Sequence, residues 1–181
     1  MAVTHGNDQD LFAWDIWTAR TDVHRVRRLT TDGDSLDPSF NPAGTKIAFV
    51  KKHGSAPCSG SIWVMGSDGS HARRVAPATC ARVLLRPVWL DPKTLVAWSW
   101  GPHGIKGLVR IDVATGAVTP LVDGKVMDYS VSRALGTMAV RFRGGSISLV
   151  DLGPGPVITP LPGTEPKGFR VFLSGALELA Y

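Results

Sequence analysis

Two cysteines, Cys58 and Cys80, are the residues of this 181-residue chain best placed to do chemistry, and that chemistry is disulfide formation. Their positions sum to 138, and the turn-forming pair Asp68-Gly69 between them sums to 137. Residues with nearly equal sums face one another across an antiparallel hairpin, within reach of an S–S bond. A bond there would place the parent protein outside the reducing cytosol. Two buried free thiols are the alternative. The spacing is not that of a zinc site, and no Cys/His companions lie beside it. His5, His53 and His103 could in principle make a three-histidine metal site, each read as following an equivalent strand. Loops of different repeats start roughly 10 Å or more apart, beyond coordination distance, so no metal is expected. His24 and His71 read as solvated turn residues. The acidic run Asp32-Gly33-Asp34-Ser35-Leu36-Asp37 lacks the closing Glu of a calcium loop, and Asp34 and Asp37 are expected to cap turns instead.

Catalytic signatures are missing from the sequence. There is no G-x-S-x-G, no phosphate-binding glycine loop, no H-E-x-x-H, and no carboxylate pair suited to glycosidic chemistry. A non-catalytic chain without cofactors is the expectation. The net charge of +5 and pI near 9.6 would suit an anionic partner. However, Arg27, Arg28, Arg73 and Arg74 fall on short edge strands without interleaved aromatics, so nucleic-acid binding is not expected.

The elements that position these residues follow from repetition. Phe40 to Phe49, Trp89 to Trp98, Val131 to Val140 and Phe172 to Tyr181 each run from a large apolar residue through a turn into an apolar strand with Ala at the ninth position. A second phrase recurs at Ile16-Trp17, Ile62-Trp63, Leu108-Val109 and Ile147-Ser148, followed by turns and by short strands such as Arg27-Arg28-Leu29 and Arg73-Arg74-Val75. Repeats of 40 to 49 residues holding four short strands and no helical period are blades of a β-propeller. The fold class is therefore all-β, with about four blades' worth of antiparallel repeats at 1–30, 36–76, 84–121, 126–161 and 167–181, in one partial domain spanning 1–181. With strands lettered A (inner) to D (outer), Met1-Ala2-Val3 aligns with Ile47-Ala48-Phe49, so the chain opens in a B strand and closes in another, Leu177 to Tyr181. That content suggests a piece of a ring of six to eight blades, with a true four-bladed ring as the alternative. An open array leaves blade faces uncovered, so self-association is also expected.

Phe40, Trp89, Val131 and Phe172 are expected to start the inner strands and wedge between blades. Ile47/Phe49, Leu95/Ala97 and Met138/Val140 are expected to bury one face of the second strands. No apolar run approaches the roughly 20 residues that span a bilayer, and the first fifteen residues, without a basic start or an apolar centre, are not expected to act as a signal peptide.

The segment from Pro38 to Val50, reading PSFNPAGTKIAFV, followed by Ser61-Ile62-Trp63-Val64-Met65, Ser67-Asp68-Gly69-Ser70 and Arg73-Arg74-Val75, resembles the repeat of TolB-type propellers, a WD-repeat-like family. That repeat reads P-S-W-S-P-D-G-x-x-I-A-F, then I-Y-V-M-x-x-D-G, then R-R-L-T, and Arg27-Arg28-Leu29-Thr30 matches the last element. The resemblance is close over 15–76 and weak after about 125. It implies a six-bladed ring, often exported, that binds proteins or peptides through its rims and channel. Related repeats form the gating propeller of prolyl-oligopeptidase-like hydrolases, which is the alternative role.

Overall fold

A computed structural model describes residues 1–7, 10–20, 22, 24–52, 60–102, 104–153 and 157–164. Its described residues form fifteen strands and no helix. The first sheet is β1 (Ala2–Asn7), β2 (Asp10–Thr18) and β3 (Arg27–Arg28). The second is β4 (Ser35–Phe40), β5 (Lys46–Lys51), β6 (Ser61–Gly66) and β7 (Arg73–Ala76). The third is β8 (Val83–Asp91), β9 (Thr94–Gly101), β10 (Gly104–Asp112) and β11 (Val118–Asp123). The fourth is β12 (Val126–Ser132), β13 (Thr137–Phe142), β14 (Ile147–Asp151) and β15 (Ile158–Pro160). Every sheet is an antiparallel meander in chain order, the blade of a propeller.

The strands form because turn chemistry interrupts short apolar runs. The Asn41 side chain accepts the amides of Thr45 and Lys46, and Gly44 takes the positive φ of 68° that the β4–β5 hairpin needs. Asp68 accepts both the amide and the hydroxyl of Ser70, and Asp112 does the same for Thr115, closing the outer hairpins. In register, Val3 faces Trp17 as Phe49 faces Trp63, so β1 occupies the position of β5. The first sheet thus begins at the second blade position. The expected final strand, Leu177 to Tyr181, and the repeat at 167–181 lie outside the described residues.

Blades pack face to face through three apolar layers. Ile16 of the first sheet meets Ile47, Phe49 and Met65 of the second. Ala48, Val50, Ile62 and Val64 meet Leu84, Trp89, Leu95 and Ala97 of the third. Val96 and Leu108 then meet Val126, Tyr129, Met138 and Val140 of the fourth. Alternate residues of β5 therefore feed two different layers. Ile47/Phe49 and Leu95/Ala97 each bury one face against a neighbouring blade as expected, and Ala48/Val50 and Val96 bury the opposite face: a blade between two others is covered on both sides, so its strand reads as a continuous apolar run. One correction concerns the aromatic positions. Phe40, Trp89 and Val131 lie at the end of β4, β8 and β12, not the start, because each precedes the hairpin into the next strand. Phe172 lies outside the described residues.

No backbone ladder joins one blade to the next among the described strands. Isolated backbone bonds, such as the Leu84 N–H to the Gly60 carbonyl at 3.0 Å, and guanidinium groups bridge the gaps. Arg73 donates to the Val113 carbonyl at 2.9 Å, Arg110 to the Leu152 carbonyl at 3.0 Å, and Arg133 to the Trp89 carbonyl at 3.0 Å. The outer-strand arginines Arg27, Arg28, Arg73 and Arg74 are exposed, as expected for charged edge strands. Trp17 and Trp63 sit on third strands, each paired with an outer-strand arginine, Arg28 and Arg74.

Candidate functional site on the inner strands

Register places Phe40, Trp89 and Val131 at one equivalent position of three successive inner strands, opposite Ile47, Leu95 and Met138. Three residues before each stands a charged side chain: Asp37, Arg86 and Asp128. Each inner strand carries a pairing irregularity at this point, between Leu36 and Ser39, Leu85 and Val88, and Val126 and Asp128. Such bulges bend a strand and re-aim a side chain. The bend is strongest at Asp37 and Arg86, with φ of 53° and 50°. Left-handed backbone costs an L-residue about 1–2 kcal/mol; aspartate tolerates it better than arginine does. Pro38 and Pro87 follow these two residues, and a proline lacks the N–H that an unpaired inner edge would leave exposed.

The three side chains form one chain of contacts across the blade gaps. Asp37 Oδ2 accepts the backbone N–H of Arg86 at 3.2 Å, while the Asp37 N–H donates to Thr4 Oγ1 at 3.2 Å. Arg86 Nη1 lies 3.3 Å from Asp128 Oδ1, which also accepts the Tyr129 N–H at 3.0 Å. The Tyr129 hydroxyl donates to the Arg86 carbonyl, with the Val96 carbonyl at 3.3 Å. The Arg86 guanidinium sits 4.7 Å above the Trp98 ring, a cation–π contact, and Trp98 in turn packs 6.3 Å from Tyr129. Asp128 is buried, whereas the Arg86 side chain keeps 41% of its surface open. A guanidinium held on backbone, ring and carboxylate yet open on one side is pre-organised to donate to an incoming group.

Burial pushes the Asp37 carboxyl above the ordinary carboxylate range, against the opposing pull of Arg86. Burial also pushes Tyr129 far above the usual phenol range, helped by the charges of Asp37 and Asp128 and opposed by Arg86, so its hydroxyl stays a donor. For Asp37 the folded state binds the proton more tightly than the unfolded chain does. Stability therefore falls as pH rises from 3.8 through the folded-state value. Asp37→Asn, which keeps an acceptor and tolerates the left-handed backbone, is expected to raise the thermal midpoint at pH 7. The gain should shrink as pH falls through the folded-state value and be absent below 3.8. A midpoint lowered at neutral pH would show that the ionised form is needed.

Asp32, not Asp34, caps the crossover into β4. It accepts the Asp34 amide at 3.0 Å and the Ser35 hydroxyl at 3.0 Å, and pairs with Lys51 at 2.7 Å. Burial alone would raise its carboxyl, but the bonds from Lys51, Asp34 and Ser35 outweigh it and hold it below the ordinary value. Asp37 reaches across to the next blade instead of capping its own turn. Cys80 lies exposed between β7 and β8; Cys58 lies outside the described residues, as do His53 and His103. His5 falls within β1 itself, not in the loop after it. His24 and His71 are exposed, with His71 Nδ1 2.9 Å from Ser70 Oγ. Among the described residues no three His, Cys, Asp or Glu side chains converge as a metal site would require.

Of the charged residues in the inner-strand site only Asp37 was singled out from sequence, and then as a turn cap. The signal of the site was nonetheless present as aligned pentapeptides, Leu36-Asp37-Pro38-Ser39-Phe40, Leu85-Arg86-Pro87-Val88-Trp89 and Met127-Asp128-Tyr129-Ser130-Val131, each with a charge in an otherwise apolar or small strand.

Radially arranged antiparallel blades with charged inner strands define the molecule as a β-propeller array. Its fold is that of the TolB-type propellers. TolB from Acinetobacter baumannii superposes with a TM-score of 0.66 at 17% identity, covering 91% of this chain and 42% of that one. An oligogalacturonate lyase in complex with manganese gives 0.65 at 13% identity, over 89% of this chain and 45% of its own. Puromycin hydrolase gives 0.65 at 18%, over 90% and 29%. The chain thus spans less than half the length of these proteins. No protein-family model and no curated protein matches the sequence.

Proposed function

We propose that this chain is a non-catalytic binding module that holds a protein or peptide segment against its inner strands. The observation that carries this reading is Arg86. Its backbone is in a strained conformation, and its side chain is fixed by Asp128 and Trp98 while remaining open. Arg86 offers donors to peptide carbonyls or a carboxylate, and the second oxygens of Asp37 and Asp128 offer acceptors to peptide N–H groups. The similarity in fold to TolB supports the reading. The test is a peptide-display selection on the whole chain, followed by calorimetry with Arg86→Met, whose thioether stem can keep the packing on Trp98. Enriched peptides that bind the variant at least tenfold more weakly, with an intact melt, are expected. A selection that enriches nothing, or affinity unchanged in Arg86→Met, would refute it.

A second reading, the accessory propeller of a prolyl-oligopeptidase-like hydrolase, is favoured by the similarity to puromycin hydrolase. Reading the adjoining coding sequence for a G-x-S-x-G-bearing domain decides between the two.

We also propose an extracytoplasmic parent protein, on the strength of Cys58 and Cys80. In the outer hairpin Ile62 pairs with Ala76, whose positions sum to 138, the same register that would set Cys58 opposite Cys80. Mass spectrometry of alkylated protein from its native host, before and after reduction, is expected to show two thiols appearing only on reduction. Two alkylated thiols without reductant would remove the argument for export. Among the described residues no helix is long and apolar enough to cross a membrane.

A further inference from the structure

We infer that the cavity on the third blade beside the β7–β8 connection is a binding site for a protonated oxyanion of the phosphate class. This assignment is independent of the inner-strand reading. A cavity of about 210 Å³ opens there, lined by Arg82 from the β7–β8 connection and by Ser99, Lys106, Gly107 and Asp123 of the third blade. Among the described residues, neither Arg82 nor Lys106 forms an ion pair. The Arg82 Nε is buried without any hydrogen-bond partner, and Lys106 Nζ reaches only the Ala81 carbonyl at 3.5 Å. A buried guanidinium N–H without an acceptor is unfavourable unless a ligand or water supplies one.

The backbone makes room for this arrangement. A Cβ on Gly101 would stand 2.3 Å from Lys106 Cε, so only glycine lets that side chain lie back across β9. Gly107, with φ of 142°, lines the cavity floor where β10 runs close to β11. Ser99, itself buried, sits on the same wall and can donate its hydroxyl.

Two cations and one carboxylate leave a net positive cleft that still contains an acceptor. Arg82 and Lys106 donate to oxyanion oxygens, the guanidinium as a fork and the ammonium as a point charge. Asp123 then selects among oxyanions. Inorganic phosphate near neutral pH, and phosphate monoesters below about pH 6, carry a P–OH that Asp123 can accept, whereas sulfate has no proton to offer and is repelled.

Thermal melts and calorimetry of the whole chain with inorganic phosphate, phosphoserine and sulfate, at matched ionic strength and about pH 5.5, where both phosphorus probes carry a P–OH, test the assignment. Saturable stabilisation by phosphate or phosphoserine is expected, at least tenfold weaker for sulfate. The tighter of the two phosphorus probes identifies free ion or monoester as the natural form. Arg82→Gln and Lys106→Gln should each weaken binding tenfold or more, while the exposed Arg74→Gln should not. Absence of saturable binding to either probe, equal binding of sulfate, or equal loss in Arg74→Gln would overturn the proposal.

Discussion

Trp89→Ala is expected to lower the unfolding free energy by about 3–5 kcal/mol, read as a displaced urea midpoint. Trp89 is fully buried between the second and third blades, where it meets Val50, Ile62 and Leu95. Truncation leaves a large cavity in a layer whose neighbours are themselves pinned by strand pairing, so relaxation is limited. Two bonds converge on the same residue. Its indole N–H donates to the Ser39 carbonyl at 3.0 Å, and its own carbonyl accepts Arg133 at 3.0 Å, so it ties three blades together. Trp89→Phe separates the contributions: most of the ring volume survives and the Ser39 carbonyl is orphaned, at about 1–3 kcal/mol. A loss below about 1 kcal/mol for the alanine variant would mean that the second and third blades do not depend on this wedge.

Gly107→Ala is expected to be comparably damaging, at about 3 kcal/mol or more, by a different route. A Cβ at Gly107 would lie 1.9 Å from the Val122 carbonyl oxygen, and its φ of 142° is one that L-residues rarely adopt. The obstacle is the backbone of β11, which cannot rotate aside as a side chain could. The strand pairing of Gly107 with Asp123 and of Leu108 with Val122 should open, visible as faster amide exchange along β11. Gly136→Ala is the control: its φ is 61°, but open space surrounds it, so the penalty is about 1 kcal/mol. Equal effects at the two glycines would show that backbone angle, not the β10–β11 approach, governs both.

The architecture was legible in the sequence because propeller blades repeat locally. The recurrence of Trp17 and Trp63 in equivalent phrases reappears as the same cross-strand pairing with Val3 and Phe49. Strand boundaries were harder to place. A cassette running from Phe40 to Phe49 shows that a strand meets a turn, but not that Phe40 closes the strand before it. Burial on both faces of β5 was hidden for a related reason: alternation with the small Ala48 resembles a half-buried strand, although that residue is fully enclosed. The Asp37–Arg86–Asp128 chain was the least legible. Its members are 49 and 42 positions apart, and bulges that no residue pattern announces turn them toward one another.

The arginine bridges between blades have a consequence for acid. Guanidinium and peptide carbonyl both keep their protonation state across the pH range in which proteins fold, so the joints made by Arg73, Arg110 and Arg133 are blind to pH. The outer hairpins are not. Asp68 and Asp112, held below the ordinary carboxylate value by Ser70 and Thr115, support their turns above 3.8 and release them as pH falls through the folded-state value. Acid strong enough to protonate these two carboxylates, below 3.8, should thus loosen both outer hairpins while the three arginine spokes stay joined.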